Sequence, residues 1–166
     1  MNTTSPFRLS TRASLLVSLV AIVTMSWGCG PLGPISGRAL SGSLIETPVA
    51  GWSFVDDTKI VQLETNPEAP YSVNIWLTRV EDGIFVFQAS EESTWVHNVA
   101  ENPRVRVRIE GRVFERHAAR VGDLETKRAF LTAMKAKYEG DLGWDTEFWQ
   151  HGWDTGEFLL FRLGRR

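Results

Sequence analysis

Polar and apolar positions alternate through the middle of the chain. In Lys59 to Thr65, Val61 and Leu63 fall on one side and Gln62 and Glu64 on the other, the period of a half-buried strand. A turn, Asn66-Pro67-Glu68-Ala69-Pro70, separates it from Tyr71 to Thr78, where Tyr71, Val73, Ile75 and Leu77 share one face and Ser72, Asn74 and Trp76 the other. Asp82-Gly83 signals a tight turn. Ile84 to Ser90 is almost wholly apolar, which predicts a central strand covered on both faces. The period then changes. Ser93 is an N-cap candidate, Trp95 and Val99 lie four apart, and Asn102-Pro103 closes a short helix. Arg104, Arg106 and Arg108 alternate with Val105, Val107 and Ile109, and after Glu110-Gly111 a less regular strand runs from Arg112 to Arg120.

Asp123 is expected to cap a second helix from Leu124 to about Tyr138. Leu124, Arg128, Leu131, Lys135 and Tyr138 lie along one side, Phe130 and Met134 widen the apolar stripe, and Gly140 ends it. Asp141 to Asp154 reads as a loop carrying Trp144, Phe148, Trp149 and Trp153, and Gly156 to Leu163 as a last strand. At least six strands joined by hairpin turns, with one short and one longer helix, predict an all-β fold with added helices, closed or nearly closed into an antiparallel barrel. No GxGxxG or P-loop pattern occurs, nor any regular strand-helix alternation of the parallel kind.

The N-terminus is a different kind of sequence. Arg8 and Arg12 precede an apolar run from Ala13 to Trp27, the pattern of an export signal too short for a confident membrane span. Cys29, the only cysteine of the 166 residues, follows at once. The stretch resembles a bacterial lipoprotein signal, with Cys29 as the acylated residue; ordinary cleavage nearby and an uncleaved anchor are the alternatives. The expected organisation is a signal peptide over 1–28, a flexible Pro- and Gly-rich linker over 29–42 and one domain over 43–166. The domain is expected on the extracytoplasmic side, lipid-anchored to a bacterial membrane.

Charge narrows the partners. Eighteen basic and 20 acidic residues give a net charge of −2, and loss of residues 1–28 moves it to about −4, so no nucleic-acid partner is expected. Seven Trp and nine Phe speak for large aromatic contact surfaces. Trp76, on the polar side of its strand, is the better candidate to wall a ring-binding cleft, whereas Trp95 aligns with Val99 and faces the core. The Arg104, Arg106, Arg108 stripe reads either as an anion site or as a solvated face paired with glutamates of the next strand. His97, His117 and His151 have no metal-ligand spacing. The tryptophans near the C-terminus either close over a cleft or a second subunit, or cover the open end of the barrel.

In order and content, Leu63-Glu64-Thr65, Val73-Asn74-Ile75-Trp76, Gly83 to Ser90, Trp95-Val96-His97-Asn98-Val99, Asn102 to Val107 and Ala118-Ala119-Arg120-Val121 resemble the pyridoxamine 5'-phosphate oxidase-like superfamily and its deazaflavin-dependent nitroreductase branch. The resemblance implies an FMN-binding-type split β-barrel and FMN or the deazaflavin F420 as cofactor. It further implies a homodimer with the flavin site at its two-fold interface, and redox chemistry on a small organic ligand. The positions it carries over as cofactor contacts are Thr65, Asn74, Ser90, Thr94 and Trp95. Arg106 is the strand-borne basic candidate, and Trp76 joins them as a stacking surface. No catalytic residue is assigned, because in such enzymes the cofactor carries the electrons. Two departures support a different reading: Asn66 to Pro70 replaces a Gly- and base-containing loop of the deazaflavin branch, and Glu91-Glu92 sits where a phosphate would approach. That alternative is a non-enzymatic, membrane-anchored small-molecule or protein-binding module with a degenerate cofactor site.

Overall fold

The computed structural model describes residues 35–46, 49–142 and 145–165. The strands are β1 (Ser43–Leu44), β2 (Ile60–Thr65), β3 (Tyr71–Val80), β4 (Gly83–Gln88), β5 (Arg104–Ile109), β6 (Arg112–Arg120) and β7 (Leu159–Gly164). The helices are α1 (Thr94–Glu101), α2 (Leu124–Leu142) and α3 (Thr146–Asp154), with a 3-10 turn at Ser53–Val55. The strand order is β1-β6-β5-β2-β3-β4-β7, and β7 pairs back onto β6. Six antiparallel strands therefore close a barrel. The edge of β6 is shared. Residues 112–113 take β1 in parallel, and residues 117–120 take β7. The expected all-β barrel with added helices is the fold observed.

The alternation read from the sequence sets the walls. Val61, Leu63, Leu77, Ile84, Val86, Val105, Val107 and Ile109 fill the barrel together with Trp95 and Phe161. Phe85 and Phe87 leave β4 on its outer side and enter a second core with Phe130, Met134, Tyr138, Trp149, Trp153 and Phe158. Both faces of β4 are thus covered, as its near-continuous apolar run predicts. Glu110 and Gly111 both have positive φ (50° and 77°), the backbone of a two-residue hairpin with the twist of its strands.

Several local expectations are corrected. Residues 146–154 form a helix, not a loop. Asp145 caps it, accepting from the backbone N–H groups of Glu147 and Phe148. The buried tryptophans of this helix, Trp149 and Trp153, do not cap the barrel end; they cover the outer wall of β4 and β7. Trp144 lies outside the described residues. Helix α2 runs past Gly140, where Asp141 pairs with Lys59 of the neighbouring segment. Its buried stripe is Phe130, Met134 and Tyr138, while Leu124 is exposed. Strand β1 has no alternating signature and exists through its pairing with β6.

The alternation of β2 predicts a solvent-facing Glu64, yet Glu64 is buried. It does point out of the barrel, but residues 37–41 lie across it. Gly37 exchanges backbone hydrogen bonds with Ser72 (2.8 and 3.0 Å), and the Ser72 hydroxyl donates to the Arg38 carbonyl (2.7 Å). The Leu40 N–H donates to Glu64, and the Leu40 side chain is buried. Arg106 donates to the Leu40 carbonyl (2.6 Å) and Arg108 to that of Ser41 (2.9 Å). The last part of the expected spacer is therefore a strap docked on the β5-β2-β3 face.

Candidate cofactor groove

Strand register builds two recesses on the outside of the barrel. Gln62 on β2 stands opposite Asn74 on β3 and Arg108 on β5, Ile60 stands opposite Trp76, and Glu64 stands between Ser72 and Arg106. Because side chains alternate across a strand, Asn74 and Trp76 emerge on the same outer face. Together with Ile60, Phe87, Gln88 and Ala89 they line an open groove of about 260 Å³. Trp76 is half-buried, stacked on Tyr138 (centroids 5.6 Å, planes 29° apart) and tilted against Phe87 (5.9 Å). Its ring is fixed from behind by the second core. The groove thus combines aromatic and aliphatic walls with two amides, Asn74 and Gln88, at its edge.

The second recess, about 150 Å³, is lined by Glu64, Thr65, Pro67, Pro70, Arg104 and Arg106, among others. The Thr65 hydroxyl donates to the Tyr71 carbonyl (3.3 Å) and accepts from Asn98 (2.9 Å), which ties β2 to α1. Arg106 pairs with Glu64 (3.2 Å) besides holding the strap.

The residues proposed from sequence therefore fall into separate places. Asn74 and Trp76 share the groove. Thr65 and Arg106 share the second recess. Trp95 is 2 % exposed inside the barrel, edge-on to Phe161 at 5.0 Å, with its indole N–H donated to Gln88 (3.2 Å). Its polar edge reaches the groove only through that amide. Ser90 follows the groove residue Ala89 directly, and its hydroxyl accepts from the Glu92 N–H (3.2 Å), shaping the turn into α1. Thr94 is exposed as the first residue of α1. Ser93 occupies the N-cap position, but its side chain makes no capping bond. Cys29 lies outside the described residues. Among the described residues no cluster of metal-ligating side chains forms, and no helix is long and apolar enough to cross a membrane.

The charge problem beside Ser90 is eased locally. Glu91 pairs with Arg120 at 2.9 Å, so one of the two glutamates there has a cation in contact. Of the arginine stripe, Arg106 and Arg108 are engaged with the strap and with Glu64, rather than paired only to the next strand. Gln88 was not singled out from sequence. The available signal was that it is the one amide ending an otherwise apolar strand.

Comparison with known proteins follows the same geometry. Residues 76–142, beginning at Trp76, match the family model of F420H(2)-dependent quinone reductases. The conserved hypothetical protein Rv2991 from Mycobacterium tuberculosis superposes with a TM-score of 0.55 at 19% identity, over 68% of this chain and 76% of that one. A candidate 5-nitroimidazole antibiotic resistance protein from Bacteroides thetaiotaomicron superposes with a TM-score of 0.51 at 12% identity, over 77% and 81% of the two chains. The fold is the flavin-binding type of split barrel. No curated protein is significantly similar in sequence. On the split barrel, the groove lies along the outer face of β3 and the end of β4, against the N-terminal end of the segment that the family model matches.

Proposed function

We propose that the protein is a flavin- or deazaflavin-dependent oxidoreductase acting on a small organic electron acceptor. The observation that carries this reading is the groove: a rigid indole face at Trp76 with Asn74 and Gln88 beside it, on a split barrel whose matched segment begins at that tryptophan. A tricyclic ring with one polar edge fits these walls, since an aromatic face and two amides present both stacking surface and hydrogen-bond donors and acceptors. When bound, the cofactor supplies the hydride or electrons. The chain contributes position. Trp76 would offer its face, the Asn74 and Gln88 amides would orient the polar edge, and Ser90, next to the groove residue Ala89, would meet a phosphate-bearing tail. The family description names quinones as acceptors, and that is the substrate class to try first.

The test is a visible absorption spectrum of the full-length protein, with thermal unfolding in added FMN and in added F420. The expected result is a chromophore band, or a raised melting temperature with one of the two, because a ligand that binds only the native state stabilises it by about 2.7 kcal/mol at a hundred times its Kd. Trp76→Ala should weaken that binding by about fivefold, since ring stacking is worth roughly 1 kcal/mol beyond area burial. No band and no shift with either cofactor would remove the proposal.

One observation favours the second reading, a non-enzymatic binding module. Two expected contacts, Trp95 and Arg106, are committed to the protein's own core and strap. In that case neither cofactor binds and the groove takes another small apolar ligand. Two further parts of the proposal rest on sequence. The chain is exported and acylated on Cys29, and Cys29→Ser should release it from the membrane fraction. A second copy completes the groove, at whose rim Ile60 is 57% exposed; sedimentation of Ile60→Glu should show a lighter species than the parent.

A further inference from the structure

A separate cleft at one end of the barrel gathers three arginines. It has a volume of about 350 Å³, and Trp52, Asp82, Gly83, Arg116, Arg162 and Arg165 are among its walls. It shares no lining residue with the groove. Arg116 leaves β6 on the side of Phe114 and Ala118. Its guanidinium lies 4.8 Å from the Trp52 ring and 5.5 Å from the Phe114 ring, and it donates to the Glu115 carbonyl at 2.7 Å. A planar cation packed on two rings is fixed before any ligand arrives. Arg162 leaves β7 on the opposite side and lies over Phe85 at 6.0 Å. It reaches the cleft beside the β3–β4 turn because Gly83 has no side chain; a Cβ there would stand 3.3 Å from its Nε and 2.8 Å from the Phe85 ring. Arg165 is held by donation to the Val49 carbonyl at 3.1 Å.

The electrostatics of this end are unbalanced. Arg79, Arg106, Arg112 and Arg120 each pair with a carboxylate. Among the described residues, Arg116, Arg162 and Arg165 pair with none. The one carboxylate on the cleft wall, Asp82, is exposed and makes no ion pair with them. Half-burial of Arg116, followed by repulsion from Arg165, lowers its pKa, so the charge there is held against both desolvation and a like neighbour. A protein with an overall acidic balance thus keeps three uncompensated guanidinium groups around one recess. Guanidinium forks match the oxygens of a phosphate in geometry as well as charge.

We propose that this cleft is a binding site for a phosphate group, with Arg116 as the fixed fork and Arg162 and Arg165 closing on the remaining oxygens. A soluble phosphorylated compound and an anionic phospholipid headgroup present the same chemistry, and two probes separate them. The first is pyrophosphate, titrated into full-length protein at constant ionic strength and followed by tryptophan fluorescence, since Trp52 lies directly under Arg116. The second is co-sedimentation of the Cys29→Ser protein with phosphatidylglycerol vesicles, which removes any covalent anchor. Arg162→Gln is the main variant, because its side chain is exposed and its loss should not disturb folding; Arg165→Gln is the second. Each should weaken binding of whichever probe binds by about tenfold or more, the usual worth of a charge-assisted hydrogen bond. Arg128→Gln, on the exposed side of α2, should bind as the parent does. Pyrophosphate binding that depends on these arginines identifies a soluble ligand, and vesicle binding that depends on them identifies a headgroup. Binding of neither probe, or binding unchanged in both cleft variants, overturns the proposal.

Discussion

Tyr138 and Lys137 show how single residues join the barrel to its outer layer. The Tyr138 hydroxyl lies 2.6 Å from the Lys59 carbonyl and 2.7 Å from that of Leu77. Lys137 donates to the carbonyls of Val55 (3.0 Å), Thr58 (2.7 Å) and Leu77 (2.8 Å). Burial pushes the tyrosine well above its ordinary value near 10, because the phenolate would have to form away from water. The unfolded chain therefore loses this proton first. Tyr138 contributes its full stabilisation below about pH 10, and that contribution falls as pH rises further. Lys137, lowered by burial from its ordinary 10.5, acts in the opposite sense below that pH. Comparing the parent with Tyr138→Phe isolates the tyrosine. The variant should lose about 0.5–1.5 kcal/mol at pH 7, the net worth of the hydrogen bond removed, because the Lys59 carbonyl still accepts from the Leu77 N–H and the Leu77 carbonyl from Lys137. Between pH 10 and 11 the parent should lose up to about 1.4 kcal/mol more than the variant. Urea unfolding at several pH values measures both. Parallel decline of the two proteins would show that the hydroxyl is not held as described.

At the scale of elements, β4 and β5 were legible because their burial follows the pattern of the sequence: Val105, Val107 and Ile109 are all buried, and β4 is covered on both sides. Helix α3 was hidden although its apolar positions, Trp149, Gly152 and Trp153, follow helical spacing. Glycine reads as a helix breaker, yet here it is the contact point. A Cβ on Gly152 would stand 2.5–2.7 Å from three atoms of the Phe158 ring. That approach depends on a residue beyond the helix, which local patterning cannot show. Gly152→Ala thus sets two effects against each other: a gain of up to about 1 kcal/mol in helix propensity and about 1–3 kcal/mol of overpacking against a buried ring. Phe158 is locked among Phe87, Trp149 and Trp153 and has little room to yield. Net destabilisation is expected, read as a lower denaturation midpoint with tryptophan emission shifted toward that of exposed indole. An unchanged or higher midpoint would mean that the ring moves freely. The groove was half legible for a related reason. Asn74 and Trp76 share a strand face and could be paired by period two, whereas Gln88 and Phe87 join them only through the register of the β3–β4 hairpin.

For the whole molecule, the strap decides where the domain begins. Residues 37–41 contain no alternating run, and nearby Gly37 and Gly42 suggest a free spacer. Their partners are side chains far along the sequence, Glu64, Ser72, Arg106 and Arg108, so the ordering is invisible locally. The strap covers the Glu64–Arg106 row, and its loss would return a buried carboxylate to water while exposing the apolar Leu40 site. Burial of a leucine stabilises by about 1.5–3 kcal/mol, and each strap hydrogen bond adds about 0.5–1.5 kcal/mol net. The ordering of five residues offsets much of that, at about 1–2 kcal/mol per residue. The remainder is therefore small, and the expected effect of starting the chain at Gly42 rather than at Gly33 is a fall of about 1–3 kcal/mol. Leu40→Ala in the longer protein should reproduce a large part of it without changing chain length. If the two lengths unfold at the same denaturant concentration, the strap is bound no more tightly than its entropy cost. If the shorter chain also binds FMN or F420 differently, the strap and the neighbouring groove are coupled across the β2–β3 pair, because Glu64 and Gln62 are successive outward positions on one strand.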